Sequence, residues 1–385
     1  MDILLYIPQS AFAIDSNREL VTALDKCLNE SCHCAITHQY QPKMFDDVSL
    51  LHVFGCWNHE AAKVMDKATR AGIPTVYSPL GGLEPWAMKG KNAKRKLHAT
   101  TYQRSMTRQA SAVHVGGRFE QEMFNRLKWN NRIAVIKNPV FTSLVSPQDM
   151  TAEMMALYQK VFDSNVYTLM SEKAAIALSH LIHAAIDPNL TNMPKAMDEA
   201  KSKIKTIDDT DWRNICIYAH DEHITDYLKK GADTMQYSND IIVVEENMRF
   251  LEKSRYDEGD IKCDDTLSSN IMLKSKIEDL ASDDGQTEFE LCMAVLNIRH
   301  EITHNTLPLR HVVNLAEKLL NTDYDEDSLA AMLSTTGALT FMSRLEAAME
   351  TITRLTEGFM PVKPIYDRQT NEITAKITKL KTPLP

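Results

Sequence analysis

The chain has 385 residues, enough for two domains, and its apolar content of 44% is ordinary for a protein with packed cores. No apolar run approaches the ~20 residues that a membrane-spanning helix needs. The net charge of −9, without interleaved basic and aromatic residues, argues against nucleic-acid recognition.

The first 140 residues alternate short apolar runs with amphipathic stretches. "ILLYI" (3–7), "HCAITH" (33–38), "VSLLHVFG" (48–55), "PTVYSP" (74–79), "SAVHVG" (111–116) and "IAVIKNPV" (133–140) read as strands. Between them, 17–29, 58–71 (ending at Gly72), 91–110 and 118–128 read as helices. Such alternation predicts a parallel sheet covered on both faces, with its ligand crevice at the carboxyl ends of the strands. The start "MDILLYIPQ" has an acid and no basic leader, so it reads as a core strand and the expectation is a cytoplasmic chain.

After Val145 the pattern turns helical. Helices are expected at 151–163, 171–186 (Ala174, Leu178, Leu181 and Ala185 on one face), 221–230, 240–254 and through 288–357, where Leu345, Met349, Ile352 and Leu355 make a stripe. "WRNICIYA" (212–219) is the one strand expected there. The acidic, polar stretch 255–287 reads as a mobile connection, and the tail from Lys363 onward as peripheral. Charge divides at the same point. Residues 1–145 carry 18 Lys/Arg against 12 Asp/Glu, a balance of +6; residues 146–385 carry 25 against 40, a balance of −15. Two different surfaces follow, with the acidic helical half a candidate for a protein partner. The seven cysteines read as reduced thiols. Cys32 and Cys34 point the same way if 33–38 is a strand, which suits two buried strand cysteines better than a shared metal.

"LLHVFGCW", "AGIPTVYSPLGGLEPWAMKGKNAKRK", "YQRSMTRQASAVHVGGRFE" and "IAVIKNPV" resemble, in order and spacing, the acceptor-side domain of family 4 glycosyltransferases of the GT-B fold. The nearest likeness is to bacterial polysaccharide-building members with a "SPxGxLEPWA" turn followed by a basic helix. The resemblance spans roughly residues 1–142 and is specific between 48 and 140. It implies a Rossmann-like N-terminal domain over 1–145, half of a GT-B fold; the residue pattern beyond it reads instead as a mainly helical domain over 146–385. It also implies sugar transfer of the hexosyltransferase type, with a nucleotide sugar as donor substrate and no other cofactor. The acceptor would meet His52, Gly55, Trp57, Gly81, Gly82, Glu84, Trp86 and Tyr102. The Gly81-Gly82 pair allows a tight turn with amides left for a ligand, and Glu84 and Trp86 suit a sugar.

Lys89, Lys91, Lys94, Arg95, Lys96, Arg104 and Arg108 place seven positive charges in twenty residues with no acid among them. In the resembled family such a surface faces anionic lipid or a lipid-linked phosphate acceptor. Peripheral contact with the inner face of a membrane is therefore the expectation. Three departures bear on activity. Phe54 stands where the family often has a second histidine of His-x-His-Gly, Leu80 where His or Arg follows Ser-Pro, and "PQSAFAIDSNREL" has no glycine. After residue 145 there is no Glu-x7-Glu and no second βαβ pattern, so the donor half of a GT-B enzyme is not legible. A binding or interaction protein built on one GT-B half is the alternative reading.

Residues 300–304, "HEITH", match the zinc-protease signature, with His300 and His304 on one helix face and Glu301 as the base. Pro308 stops the helix too soon for that fold, and Arg299 adjoins the motif. A helix-end histidine pair is therefore expected, with zinc hydrolysis the lesser alternative. In "YAHDEHITDYL", His220 and His223 lie off i, i+4 spacing, and Asp221 and Glu222 suit a helix N-terminus.

Overall fold

The computed structural model describes residues 1–84, 93–250, 270–281 and 286–381; at 93–96, 98, 99 and 357 it describes the backbone alone. The chain divides into two compact units, Met1–Asn165 with Glu245–Leu251, and Val166–Val244 with Glu252–Pro385.

The first unit carries a six-stranded, all-parallel sheet. Its strands are β1 (Asp2–Tyr6), β2 (His33–Thr37), β3 (Leu50–Phe54), β4 (Thr75–Ser78), β5 (Ala112–Val115) and β6 (Ile133–Val135), in the order β2-β1-β3-β4-β5-β6. The helices are α1 (Gln9–Phe12), α2 (Asp15–Leu28), α3 (His59–Ala71), α4 (Ala93–Gln109), α5 (Arg118–Leu127) and α6 (Pro147–Asp163). This is the alternation that the sequence predicts. β3, β4 and β5 are buried at every position, because helices cover both faces. α3 is bounded by an Asn58 side-chain cap and by Gly72 at φ +84°, a left-handed turn that glycine makes without strain. α6 is set by a Ser146–Asp149 capping box and packs Met150, Met154, Leu157, Tyr158 and Val161 into the same core as Leu20 and Leu24 of α2. That apolar face carries the first unit on to Asn165, past the change of character at residue 145.

The described elements of the second unit are all helical: α7 (Val166–Leu169), α8 (Glu172–Ile186), α9 (Pro194–Ile204), α10 (Asp209–Asp221), α11 (Thr225–Met235), α12 (Ile271–Leu280), α13 (Gln286–His304), α14 (Leu309–Asn321), α15 (Glu326–Thr335), α16 (Leu339–Thr353) and α17 (Arg368–Thr378), with short 3-10 turns. α8 bears out its expected helix and stripe, and α16 carries Leu345, Met349 and Ile352 of the other, while Leu355 lies beyond the helix end at Thr353. Residues 212–219 are not a strand but the middle of α10. Trp212 and every residue from Asn214 to Ala219 are buried, so a helix enclosed on nearly all sides shows no 3.6-residue period and imitates a core strand.

Other expectations are corrected too. Residues 240–244 are irregular, and only Glu246–Met248 forms a turn of 3-10 helix in the described part of 240–254. The β-branched run Ile241–Val244 disfavours a helix there. Within 255–287, residues 271–280 are helical, capped by Asn270; 251–269 and 282–285 lie outside the described residues. The tail is not peripheral. Asp367 caps α17 and is held by Arg344 through two guanidinium nitrogens, while Ile377 and Leu380 are buried in the helical core.

Asp221 and Glu222 sit at the C-terminal end of α10, not at a helix N-terminus, and His223 then turns the chain at φ +58°. The dipole there is unfavourable to an acid, so Glu222, fully buried, is compensated otherwise. It accepts from the Tyr167 hydroxyl (2.7 Å), the Leu309 amide (2.9 Å) and both ways from Lys379 Nζ (3.0 and 2.8 Å). Lys379→Met should therefore destabilise the chain by about 3–5 kcal/mol, and adding Glu222→Gln should return most of that loss. Urea unfolding checks this; a single-variant change within about 0.5 kcal/mol would contradict it.

Glu346 is the opposite case. It is fully buried, takes the Val362 amide on Oε1 (3.3 Å), and leaves Oε2 without a partner. Burial pushes its carboxyl up to about 8, against the Val362 amide and with help from Glu326. Its contribution to stability is present in full below about pH 4.5 and is lost as pH rises toward about 8, because the folded state holds a proton that the unfolded state releases. Glu346→Gln should flatten that loss and stabilise the chain at pH 8 by on the order of 1–3 kcal/mol, read from denaturation midpoints across pH.

Candidate functional site

In this sheet order, β1 connects to β2 on one side and the chain then crosses to β3 on the other. The carboxyl ends of β1 and β3 thus form the switch point where open α/β sheets take ligands. The backbone there is unusual. Gly55 (φ +88°) and Trp57 (φ +60°) follow β3, and Leu80 (φ +53°) and Gly81 (φ +72°) follow β4. Left-handed tryptophan and leucine are costly conformations that persist only where their surroundings fix them. Trp57 is fixed twice: its amide donates to Gln103 Oε1 (2.8 Å) and its indole N–H to the Gly82 carbonyl (2.8 Å). Gln103, buried on α4, also donates to the Tyr77 hydroxyl (2.9 Å). A Cβ on Gly82 would lie 2.8 Å from Cys56 Sγ and 2.9 Å from its Cβ, so the loops after β3 and β4 approach too closely for any side chain.

The amides expected to be left for a ligand are occupied. Gly82 N–H donates to the Pro79 carbonyl (3.0 Å). Gly81 N–H donates to Glu120 Oε1 (2.7 Å), and Gly116 N–H to Oε2 of the same carboxylate (2.7 Å). Glu120, in the first turn of α5, thus ties the β4 loop to the β5 loop. Burial raises its carboxyl, the two amides counter this, and the charge of Glu84 adds to the rise.

His52 is corrected as well. It is fully buried and has no atom turned to a ligand. Its Nδ1 meets the Tyr158 hydroxyl (2.7 Å) and its Nε2 meets Ser78 Oγ (2.7 Å); Ser78 Oγ also meets His114 Nδ1 (2.7 Å), and His114 Nε2 meets the Ile136 carbonyl (3.1 Å). The last contact fixes all the protons. A carbonyl only accepts, so His114 carries its proton on Nε2 and accepts at Nδ1 from Ser78. Ser78 then accepts from His52 Nε2–H, and His52 Nδ1 accepts from Tyr158. One neutral, unidirectional chain crosses β3, β4 and β5. Burial holds both imidazoles below their ordinary range, His52 well below and His114 at about 4.

Tyr102 is half-buried on α4 with its ring against His59 (5.2 Å between centroids). Arg104 and Arg108, one turn apart on α4, are exposed. Glu84 is half-buried beside Gly81. Trp86, Lys89 and Lys91 lie outside the described residues, as do the side chains of Lys94, Arg95 and Lys96 in the first turn of α4. Glu120, Ser78, His114, Tyr158 and Gln103 were not singled out from sequence. For Ser78 and His114 the signal was a polar residue inside a buried strand; Gln103, Glu120 and Tyr158 come from helices and gave none.

In the second unit, His300 and His304 close α13 with their rings stacked (3.9 Å), and His304 Nδ1 contacts the His300 carbonyl (2.9 Å). Glu301 turns inward, 2% exposed, to His311 Nδ1 (2.8 Å). Its carboxylate is committed there, not to the histidine pair. Cys34 is buried on β2, but Cys32 precedes the strand, where its thiol donates to the Leu28 carbonyl. No group of three metal-binding side chains occurs among the described residues, and no described helix is long and apolar enough to cross a membrane. No family model, curated protein or solved structure matches the chain.

The histidine chain makes stability acid-sensitive. Both rings stay neutral when folded, so their contribution is present above about pH 6.5 and is lost as pH falls toward about 4, where the unfolded state takes up the protons. His52→Leu should remove part of that acid slope. It should also cost about 2–4 kcal/mol at pH 7, since Tyr158 and Ser78 each lose a buried partner. Denaturant unfolding from pH 7.5 to 4.5 measures both.

Proposed function

We propose that the first unit is a glycosyltransferase-like acceptor module of bacterial surface-polysaccharide metabolism, and that the chain binds a sugar or lipid-linked phosphate acceptor without transferring sugar to it. The observation that carries the reading is the pair of strained, mutually tied loops at the carboxyl ends of β3 and β4, beside the switch point of a parallel sheet. These are the loops on which the sequence resemblance rests. The acceptor lies over Gly55, Trp57, Glu84 and Tyr102, with the basic helix α4 presenting Arg104 and Arg108 to phosphate or to an anionic lipid surface.

The same resemblance calls for a donor half with its own nucleotide-binding sheet. All strands among the described residues belong to the first unit, which supports binding over transfer. In the resembled enzymes the donor sits between two such sheets; a single sheet has one wall of that cleft.

Two measurements test this. Calorimetry with UDP-, GDP- and dTDP-sugars should give no Kd tighter than about 1 mM; micromolar affinity would restore the enzyme reading. Vesicles containing anionic lipid should bind the chain at low salt and release it near 0.5 M, where the screening length is about 4 Å. Arg104→Ala with Arg108→Ala should weaken that binding by about 2 kcal/mol, roughly 30-fold. Failure of the parent to bind such vesicles removes the membrane-facing part of the proposal.

A further inference from the structure

α13 ends on two histidines one turn apart, and its end is firmly built. Asn305 turns the chain at φ +56°, and the Thr306 amide donates to the Glu301 carbonyl (3.0 Å), so the last turn has one defined geometry. His300 and His304 share a face at i, i+4, with ring centroids 3.9 Å apart and 28° between the planes. Both can be reached: His304 is exposed and His300 half-buried. The pair His52 and His114, by contrast, is buried in the sheet and hydrogen-bonded there.

One contact fixes the tautomer of His304. Its Nδ1 lies 2.9 Å from the His300 carbonyl, which only accepts, so neutral His304 carries its proton on Nδ1 and keeps a lone pair on Nε2. A histidine held through one nitrogen by a carbonyl is the form that ligates a metal through the other. The His300 side chain makes no hydrogen bond to a described residue, so its tautomer follows whatever binds it. Two bonds of about 2.0–2.1 Å from one tetrahedral ion reach nitrogens about 3.4 Å apart, close to the spacing of these rings.

The surroundings favour a cation. The negative end of a 19-residue helix lies at the pair, in a half of the chain whose charge balance is −15. The neighbouring Arg299 is drawn to the Gly337 carbonyl (3.0 Å). Glu301 is turned inward to His311, so no base stands beside the two rings.

We propose that His300 and His304 form a two-histidine anchor for a divalent transition ion of the zinc, nickel and copper class. Imidazole nitrogen selects such ions over magnesium and calcium, which take oxygen ligands. Two protein ligands leave the other positions open to water or to a donor from another molecule. Without a base beside the ion, the site holds metal and does not hydrolyse. The inference does not rest on the acceptor-binding reading of the first unit.

The test uses the untagged full chain at pH 7.5, titrated with Zn2+ and separately with Mg2+. Calorimetry should give one equivalent of Zn2+ with a Kd on the order of 10–100 µM and no binding of Mg2+, and the Tm should rise with Zn2+ alone. His300→Ala and His304→Ala should each weaken Zn2+ binding at least about tenfold. The double variant should lose little more than either single, because a chelate fails once one arm is removed. His33→Ala, which removes an exposed histidine of the first unit, should bind Zn2+ as the parent does. A parent with no saturable Zn2+ binding below about 1 mM, or single variants that bind as tightly as the parent, would overturn the site.

Discussion

A histidine in a strand enclosed on both faces must have both ring nitrogens satisfied by protein, and much of the first unit follows from how His52 meets that demand. Water cannot reach β3, so the partners are Tyr158 from α6 and Ser78 from β4, and Ser78 in turn needs His114 from β5. The chain ends only where it reaches a main-chain acceptor, at Ile136. Three strands and the last helix of the unit are thereby locked in one arrangement. A one-residue slip of β4 would exchange Ser78 for Tyr77 or Pro79 and orphan two imidazoles. Apolar contact alone tolerates such slips better than a directional chain does.

Directly above that chain, Pro79 to Gly82 turn back over the end of β3. Their conformation is held by Trp57, Gln103 and Glu120, not by the turn's own preferences, since Leu80 sits in a left-handed conformation. The carboxylate of Glu120 takes the Gly81 and Gly116 amides that would otherwise favour an anionic ligand, and Glu84 lies alongside. The crest beside β4 is thus charged against phosphate, whereas α4 exposes Arg104 and Arg108.

The sheet was legible because its strands and helices differ in period and are punctuated by Gly, Pro and Asn. The site was legible only as far as its backbone: Gly55, Trp57, Gly81 and Gly82 do shape the crest. What they offer a ligand was not readable, because occupancy of an amide depends on a carboxylate thirty-nine positions away in the chain, at Glu120. The error at His52 has the same origin. A histidine at a strand end reads as a ligand-facing group, but Tyr158, a partner from a helix assigned to the other half of the chain, removes it from solvent. In the helical half, α10 was misread because burial around its whole circumference erases the pattern from which helices are recognised.

Buried charge divides the helical unit into two kinds of place. Glu222 shows what full compensation looks like, with an ammonium, a phenol and a main-chain amide around one carboxylate, drawn from α7, α14 and the end of α17. That convergence explains why a tail that reads as polar is packed: Lys379 has to arrive for Glu222 to be tolerable at the wrong end of a helix dipole. Glu346 reaches neutrality by another route, keeping its proton.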